Sequence, residues 1–239
     1  MRRSLADQTV DELGGHGSVL ARQRRDHVEL DALLRRVQST AGAEQDEALT
    51  ELCRLVFRHA FAEEAVLWPA VRAALPDGEA LTLRIEQEHQ EINELVHRLD
   101  GSRHTDPARA GQLERLVDLL DEDVRDEEDV VLPRLQEVLD PRDLTRLGAS
   151  WEAVRRTAPT RAHPLVARRP PGNVLAALPL TLIDRSRDAL DRLARRAPRT
   201  VAPVAVGMSS GLRTVSDLVE RFPPLRRGED ASTRPGPTT

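Results

Sequence analysis

The stretch DEDVRDEEDVVLPRL, Asp121 to Leu135, ends in a near-copy of an earlier one, HAFAEEAVLWPAV, His59 to Val71. At a constant offset of 64 residues His59 falls on Asp123, Glu63 on Glu127, Glu64 on Glu128, Trp68 on Leu132 and Pro69 on Pro133. A second register joins the segments before them: His27, Leu30, Leu34 and Val37 precede His89, Ile92, Val96 and Leu99 by 62 residues. Apolar side chains recur at helical spacing through each segment, so the chain carries two copies of a helical hairpin. The two extra residues fit in the loop 100–109, where a change of length costs little.

The periodicity predicts helix A over about 18–38, B over 45–75, C over 79–99 and D over 108–138. Leu20, Leu30, Leu34 and Val37 line the inner face of A, and Leu52, Leu55, Val56, Val66 and Leu67 that of B. Ile92, Val96 and Leu99 do so on C, with Leu116, Leu119, Leu120, Val130 and Val131 on D. Two hairpins with such faces pack as an antiparallel up-down-up-down four-helix bundle, and two copies are too few for a stacked array. The fold class read here is all-α, with the bundle over 1–140, a C-terminal helical extension over 141–222 and a disordered tail over 223–239. Within the extension, 141–157 reads as a fifth helix, while 173–197 and 203–221 read as amphipathic helices with Pro179 a kink in the first. The tail has the Pro, Gly, Ser and Thr composition of a chain that cannot bury enough apolar surface to order itself.

The 239 residues contain no Lys, so all 35 basic side chains are Arg, set against 40 acids for a net charge of −5. That balance argues against nucleic acid as a partner. No segment approaches the roughly 18 apolar residues of a membrane span, the N-terminus lacks an apolar leader, and the single Cys53 forms no internal disulfide. Together these place the protein in the cytoplasm, away from membranes, with Cys53 a buried and inert thiol. With three Phe, two Trp and no Tyr, the core is aliphatic and favours helices over sheets.

Polar residues on an apolar stripe carry the functional information, because burying them unpaired costs a few kcal/mol each. Six lie at one level: His27, His59, Glu63, His89, Asp123 and Glu127. The His-x-x-x-Glu spacing in B and Asp-x-x-x-Glu in D place both members of each pair on one face, a turn apart. Helices A and C add one imidazole each. Three imidazoles and three carboxylates suit two first-row transition ions, iron ahead of manganese, and not a closed thiolate zinc site. The Glu-x-x-His spacing of ferritin-like bundles occurs once, at Glu86 and His89, and has no counterpart in the other hairpin.

These residues resemble the hemerythrin-like, or HHE cation-binding, family over about 15–140. The motifs are His27 with its apolar stripe, H59-AFA-EE-AVLWP, EH89-QEI and D123-VRD-EE-DVVLP. The resemblance implies a non-haem di-iron centre with His27, His59, His89, Glu63 and Glu127 as ligands, Glu63 and Glu127 bridging. It places Asp123 where the family has a fourth His, and Asn93 where oxygen carriers have a further one, which argues against reversible oxygen transport. Asp123 is then either an exchanged ligand or a lost one. Glu64, Glu128, Asp31 and Asn93 read as neighbours of the ligands, the last two through hydrogen bonds to imidazole. His16, His97, His104 and His163 lack repeat partners and read as surface or loop residues. The function these readings support is metal binding, with oxygen, peroxide or nitric oxide as the small ligand, in sensing or in iron and oxidative-stress handling. The C-terminal helices offer a surface to a protein partner. Two other classes stay open: a metal-poor structural or adaptor bundle, and a ferroxidase or peroxidase.

Overall fold

The computed structural model describes residues 3–102, 106–198 and 200–234, and among these there is helix but no strand. Helix α1 spans Val19–Ser39, α2 Gly42–Ala62, α3 Trp68–Ala74, α4 Gly78–Gly101, α5 Arg109–Asp126 and α6 Leu132–Val138. Helices α2 and α3 are one rod, as are α5 and α6, each interrupted by a single π-helical turn, Glu63–Leu67 in the first and Glu127–Val131 in the second. Interhelical contacts fix the directions. Arg36 meets Glu51 at 2.5 Å, Arg72 meets Glu86 at 3.0 Å and Arg115 meets Glu91 at 3.0 Å, each joining helices that run oppositely through short loops. The four rods therefore alternate up and down.

The π turns have a covalent cause. Pro69 and Pro133 have no N–H to donate to the carbonyl four residues back, and their rings would clash with it. The backbone answers by widening one turn, so that the Trp68 N–H reaches the Glu63 carbonyl and the Leu132 N–H the Glu127 carbonyl. The widened turn accommodates an extra residue and shifts the inward face. Both Glu63 and Glu64, and both Glu127 and Glu128, are consequently buried. The same slip corrects one expected core position: Val130 is exposed, and Val131, Leu132 and Leu135 fill the interior instead.

The core divides into two apolar clusters with the polar level between them. One, toward the α1–α2 and α4–α5 loops, includes Leu34, Leu52, Ile92 and Leu120. The other, at the opposite end, includes Leu20, Trp68, Leu132 and Trp151. The last of these comes from α7, Pro141–Thr157, which starts at an Asp140 cap and lies across α1 and α2. Gly148 permits that approach, since a Cβ there would collide with the Gly17 carbonyl oxygen and lie 2.8 Å from the Val19 nitrogen.

Helices α8, Gly172–Arg196, and α9, Ala202–Glu220, form a hairpin with a small core of Val166, Ala176, Leu180 and Leu225. Pro179 sits inside an uninterrupted α8. The segment from Pro223, expected to be disordered, is ordered up to Arg234: Leu225 and Thr233 are buried, and the Leu225 carbonyl accepts from the Ala167 N–H. A few apolar and backbone partners outweigh the polar composition there; residues 235–239 lie outside the described residues. No helix among the described residues is long and apolar enough to cross a membrane.

Gly148→Ala should lower stability by about 1–3 kcal/mol through overpacking, read as a reduced denaturant midpoint by the fluorescence of buried Trp151.

Candidate metal centre

All six inward polar residues identified from the repeat are at most 7% exposed and converge at mid-height of the bundle. Donor atoms of His27, His59, Glu63 and Glu127 lie within 4.8 Å of one another, as do those of His89, Asp123 and Glu127. Glu127 belongs to both groups. Its Oε2 is 3.2 Å from His27 Nε2 and its Oε1 is 4.0 Å from His89 Nε2. Glu63 spans the same gap, with Oε1 2.9 Å from His59 Nε2 and Oε2 3.8 Å from His89 Nε2. Asp123 Oδ1 stands 3.4 Å from His89 Nε2.

Each imidazole turns Nε2 to the centre and gives Nδ1 to an outer carboxylate. His27 pairs with Glu128 at 2.8 Å, His89 with Glu64 at 3.0 Å and His59 with Asp26 at 3.4 Å. Such pairing fixes the tautomer and aims the free nitrogen, as carboxylates behind metal-bound histidines do. Two of the three outer carboxylates exist in this position only because of the π turns. Asp26 was not anticipated; its repeat partner, Glu88, also precedes a histidine, and that pairing is the signal in the sequence. Arg155 of α7 holds Asp26 at 2.5 Å, and the edge of Trp151 meets the His59 ring at 5.5 Å between centroids. The extension thus completes the shell around one imidazole.

Other assignments need correction. Asp31 is exposed and pairs with Arg35, because it points away from the bundle axis. Asn93 reaches no imidazole: its amide donates to the His89 carbonyl and its oxygen accepts from the His163 N–H at 3.0 Å. His163 is buried between Glu220 at 2.8 Å and Asp184 at 3.0 Å, where it ties the linker to α8 and α9. His16 is exposed, His97 half-buried, and His104 lies outside the described residues. Burial pushes the Cys53 thiol up to about 12, which leaves it unreactive.

The buried imidazoles and carboxylates shift one another's proton affinity. Burial disfavours a charged His27, but Glu127 and Glu128 outweigh it and raise the imidazole to about 9. His59 and His89 rise well above their ordinary value against the same burial penalty, through Glu63 and Asp26 in one case and Asp123 and Glu64 in the other. Glu63 is lowered, since His59 and His89 overcome its desolvation, whereas Glu127 is raised by burial and by the charges of Glu63 and Asp123. The residues fit divalent cations on one further ground. Both oxygens of Glu63 and of Glu127, Asp123 Oδ1 and His89 Nε2 are buried without a directed hydrogen bond. Six orphaned donor atoms at one point would be costly in a finished core, and cations would satisfy them together.

Above the cluster is a cavity of about 10 Å³, bounded by Leu30, Val56, Ile92 and Leu120 as well as the three imidazoles. It has room for about one water-sized molecule.

A family model for the hemerythrin HHE cation binding domain matches residues 18–135. The chain is also 25% identical over 174 residues to a hemerythrin-like protein of Schizosaccharomyces pombe, covering 70% of this chain and 84% of that one. That stretch is longer than the family domain, so the similarity runs beyond the bundle. No solved structure matches the chain.

A raised imidazole stabilises the fold fully below its ordinary value of 6.5, and the contribution is lost as pH climbs through about 9. The urea midpoint of metal-free protein should fall across that window, and His27→Gln should flatten the fall.

Proposed function

Because residues 18–135 match the hemerythrin HHE cation-binding family model, we propose that this chain holds two iron ions and uses them to bind or reduce a small oxygen or nitrogen-oxide species. The observation that carries the reading is the pair of two-headed carboxylates: Glu63 and Glu127 each direct one oxygen to His27 or His59 and the other to His89. His27, His59, Glu63 and Glu127 would hold one ion. His89, Asp123 and the far oxygens of Glu63 and Glu127 would hold the other. Bound iron would supply exchangeable electrons and an open coordination position.

The chain's own residues do the rest. Glu128, Asp26 and Glu64 keep the Nδ1 atoms of His27, His59 and His89 engaged, which turns each Nε2 toward the centre, where those of His27 and His59 lie 3.2 Å apart. Leu30, Val56, Ile92 and Leu120 narrow the space beside the imidazoles to about one water-sized molecule, which favours a small ligand over a larger substrate. Protons held among the imidazoles and carboxylates leave when cations arrive, and loading at neutral pH should acidify an unbuffered solution.

With Asp123 beside His89, a second ion would have a single imidazole and otherwise oxygen donors, a harder environment than the first. That asymmetry favours handling of iron, peroxide or nitric oxide, by sensing or by turnover, over reversible oxygen carriage. A single cysteine, unable to form an internal disulfide, suits the reducing cytoplasm.

Loading with ferrous iron without oxygen, followed by desalting and metal analysis, should give about two irons per chain. Asp123→Ala should retain about one, and Glu127→Ala should retain neither. Full retention in Asp123→Ala would remove that residue from the ligand set, and an iron-free parent would favour the adaptor reading.

A further inference from the structure

Helix α9 and the residues flanking it carry an apolar stripe that none of the described residues covers. Val201, Val204, Met208, Gly211, Val215, Leu218 and Phe222 follow one another at alternating intervals of three and four residues. This is the spacing of a helix built to pack lengthwise against another helix. Its six side chains are 43–71% exposed, while Ala205, Ser209, Ser216 and Glu220 on the other side of α9 are buried. Leu175, Leu182 and Leu193 extend the surface along the outer side of α8, each about half exposed or more. Nine large side chains so exposed present on the order of 800 Å², beyond a typical monomer's largest patch and equal to about one partner's share of a standard interface.

Two glycines point to the shape of what covers it. Gly207 and Gly211 lie in the interior of α9, where glycine is the least favourable residue after proline. A Cβ at either would meet no atom within 4 Å, so this chain's own packing does not require them. By contrast Gly148 is needed where α7 crosses the bundle. Glycine on an outward helix face allows another backbone to come close.

The stripe is also nearly symmetric about Gly211. Run antiparallel to itself, it sets Val201 opposite Phe222, Val204 opposite Leu218, Met208 opposite Val215 and Gly211 opposite Gly211. A surface that complements its own copy about a two-fold axis is the isologous interface of most homodimers. The positions beside the α9 stripe toward the open side are Gly207, Thr214 and Arg221, so along α9 itself no row of like charges faces a second copy.

We propose that the α8–α9 hairpin is a homodimerisation surface, with α9 of two chains crossing antiparallel at Gly211. The metal layer of each bundle stays outside the contact, and the dimer does not depend on the iron reading.

Sedimentation of the full chain at about 10 μM should give roughly twice the 26.6 kDa chain mass. Met208→Glu and Leu218→Glu should each sediment as a single chain with unchanged helical circular dichroism, because both residues are exposed in the folded chain. In a Cys53→Ser background, the double variant Val204→Cys/Leu218→Cys should form a disulfide-linked dimer under mild oxidation, and neither single variant should. A monomeric parent overturns the proposal, whether or not it then binds anionic lipid vesicles. Cross-linking by Val204→Cys alone overturns the antiparallel pairing.

Discussion

Everything in this chain is arranged around a layer of ionisable side chains placed where an aliphatic core would ordinarily run through. His27, His59, Glu63, His89, Asp123 and Glu127 sit between two apolar clusters, all of them buried. Buried carboxylates without hydrogen bonds are among the most expensive features a protein can carry. The bundle bears that cost twice over, in both hairpins, and the four helices hold the donors in place through packing above and below the layer.

The two prolines link sequence to chemistry. A π turn precedes Pro69 and Pro133 at the same point of each hairpin, and two successive glutamates lie inside at each. The first of each pair faces the centre and the second steadies an imidazole. Helix α7 performs the equivalent service for His59, the one imidazole whose partner carboxylate lies outside a π turn, by bringing Arg155 to Asp26. Bundle and extension are therefore parts of a single site, and the similarity to the yeast protein likewise extends past the bundle.

Much of this was legible in the sequence because repetition and helical period are both robust signals. The four inner faces, the order of the helices and the six converging residues follow from comparing 59–71 with 123–135 and 27–37 with 89–99. What escaped has physical reasons. Strict α-periodicity cannot anticipate a π turn, so Val130 was placed inside and Glu64 and Glu128 were given no defined partner. Spacing alone pairs Asp31 and Asn93 with imidazoles to which neither makes a hydrogen bond. His163 has no repeat partner, and its burial depends on Asp184 and Glu220, brought together only by the folded extension. The tail beyond Pro223 orders through Leu225 and backbone contacts with the linker, a long-range effect that composition does not encode.

The most direct measurement is anomalous diffraction at the iron absorption edge from crystals of ferrous-loaded protein. Two peaks within the layer, separated by the carboxylates of Glu63 and Glu127 with Asp123 beside one of them, are the expected result. A single peak, or iron found only on the protein surface, would contradict the account of a two-ion centre bridged by these residues.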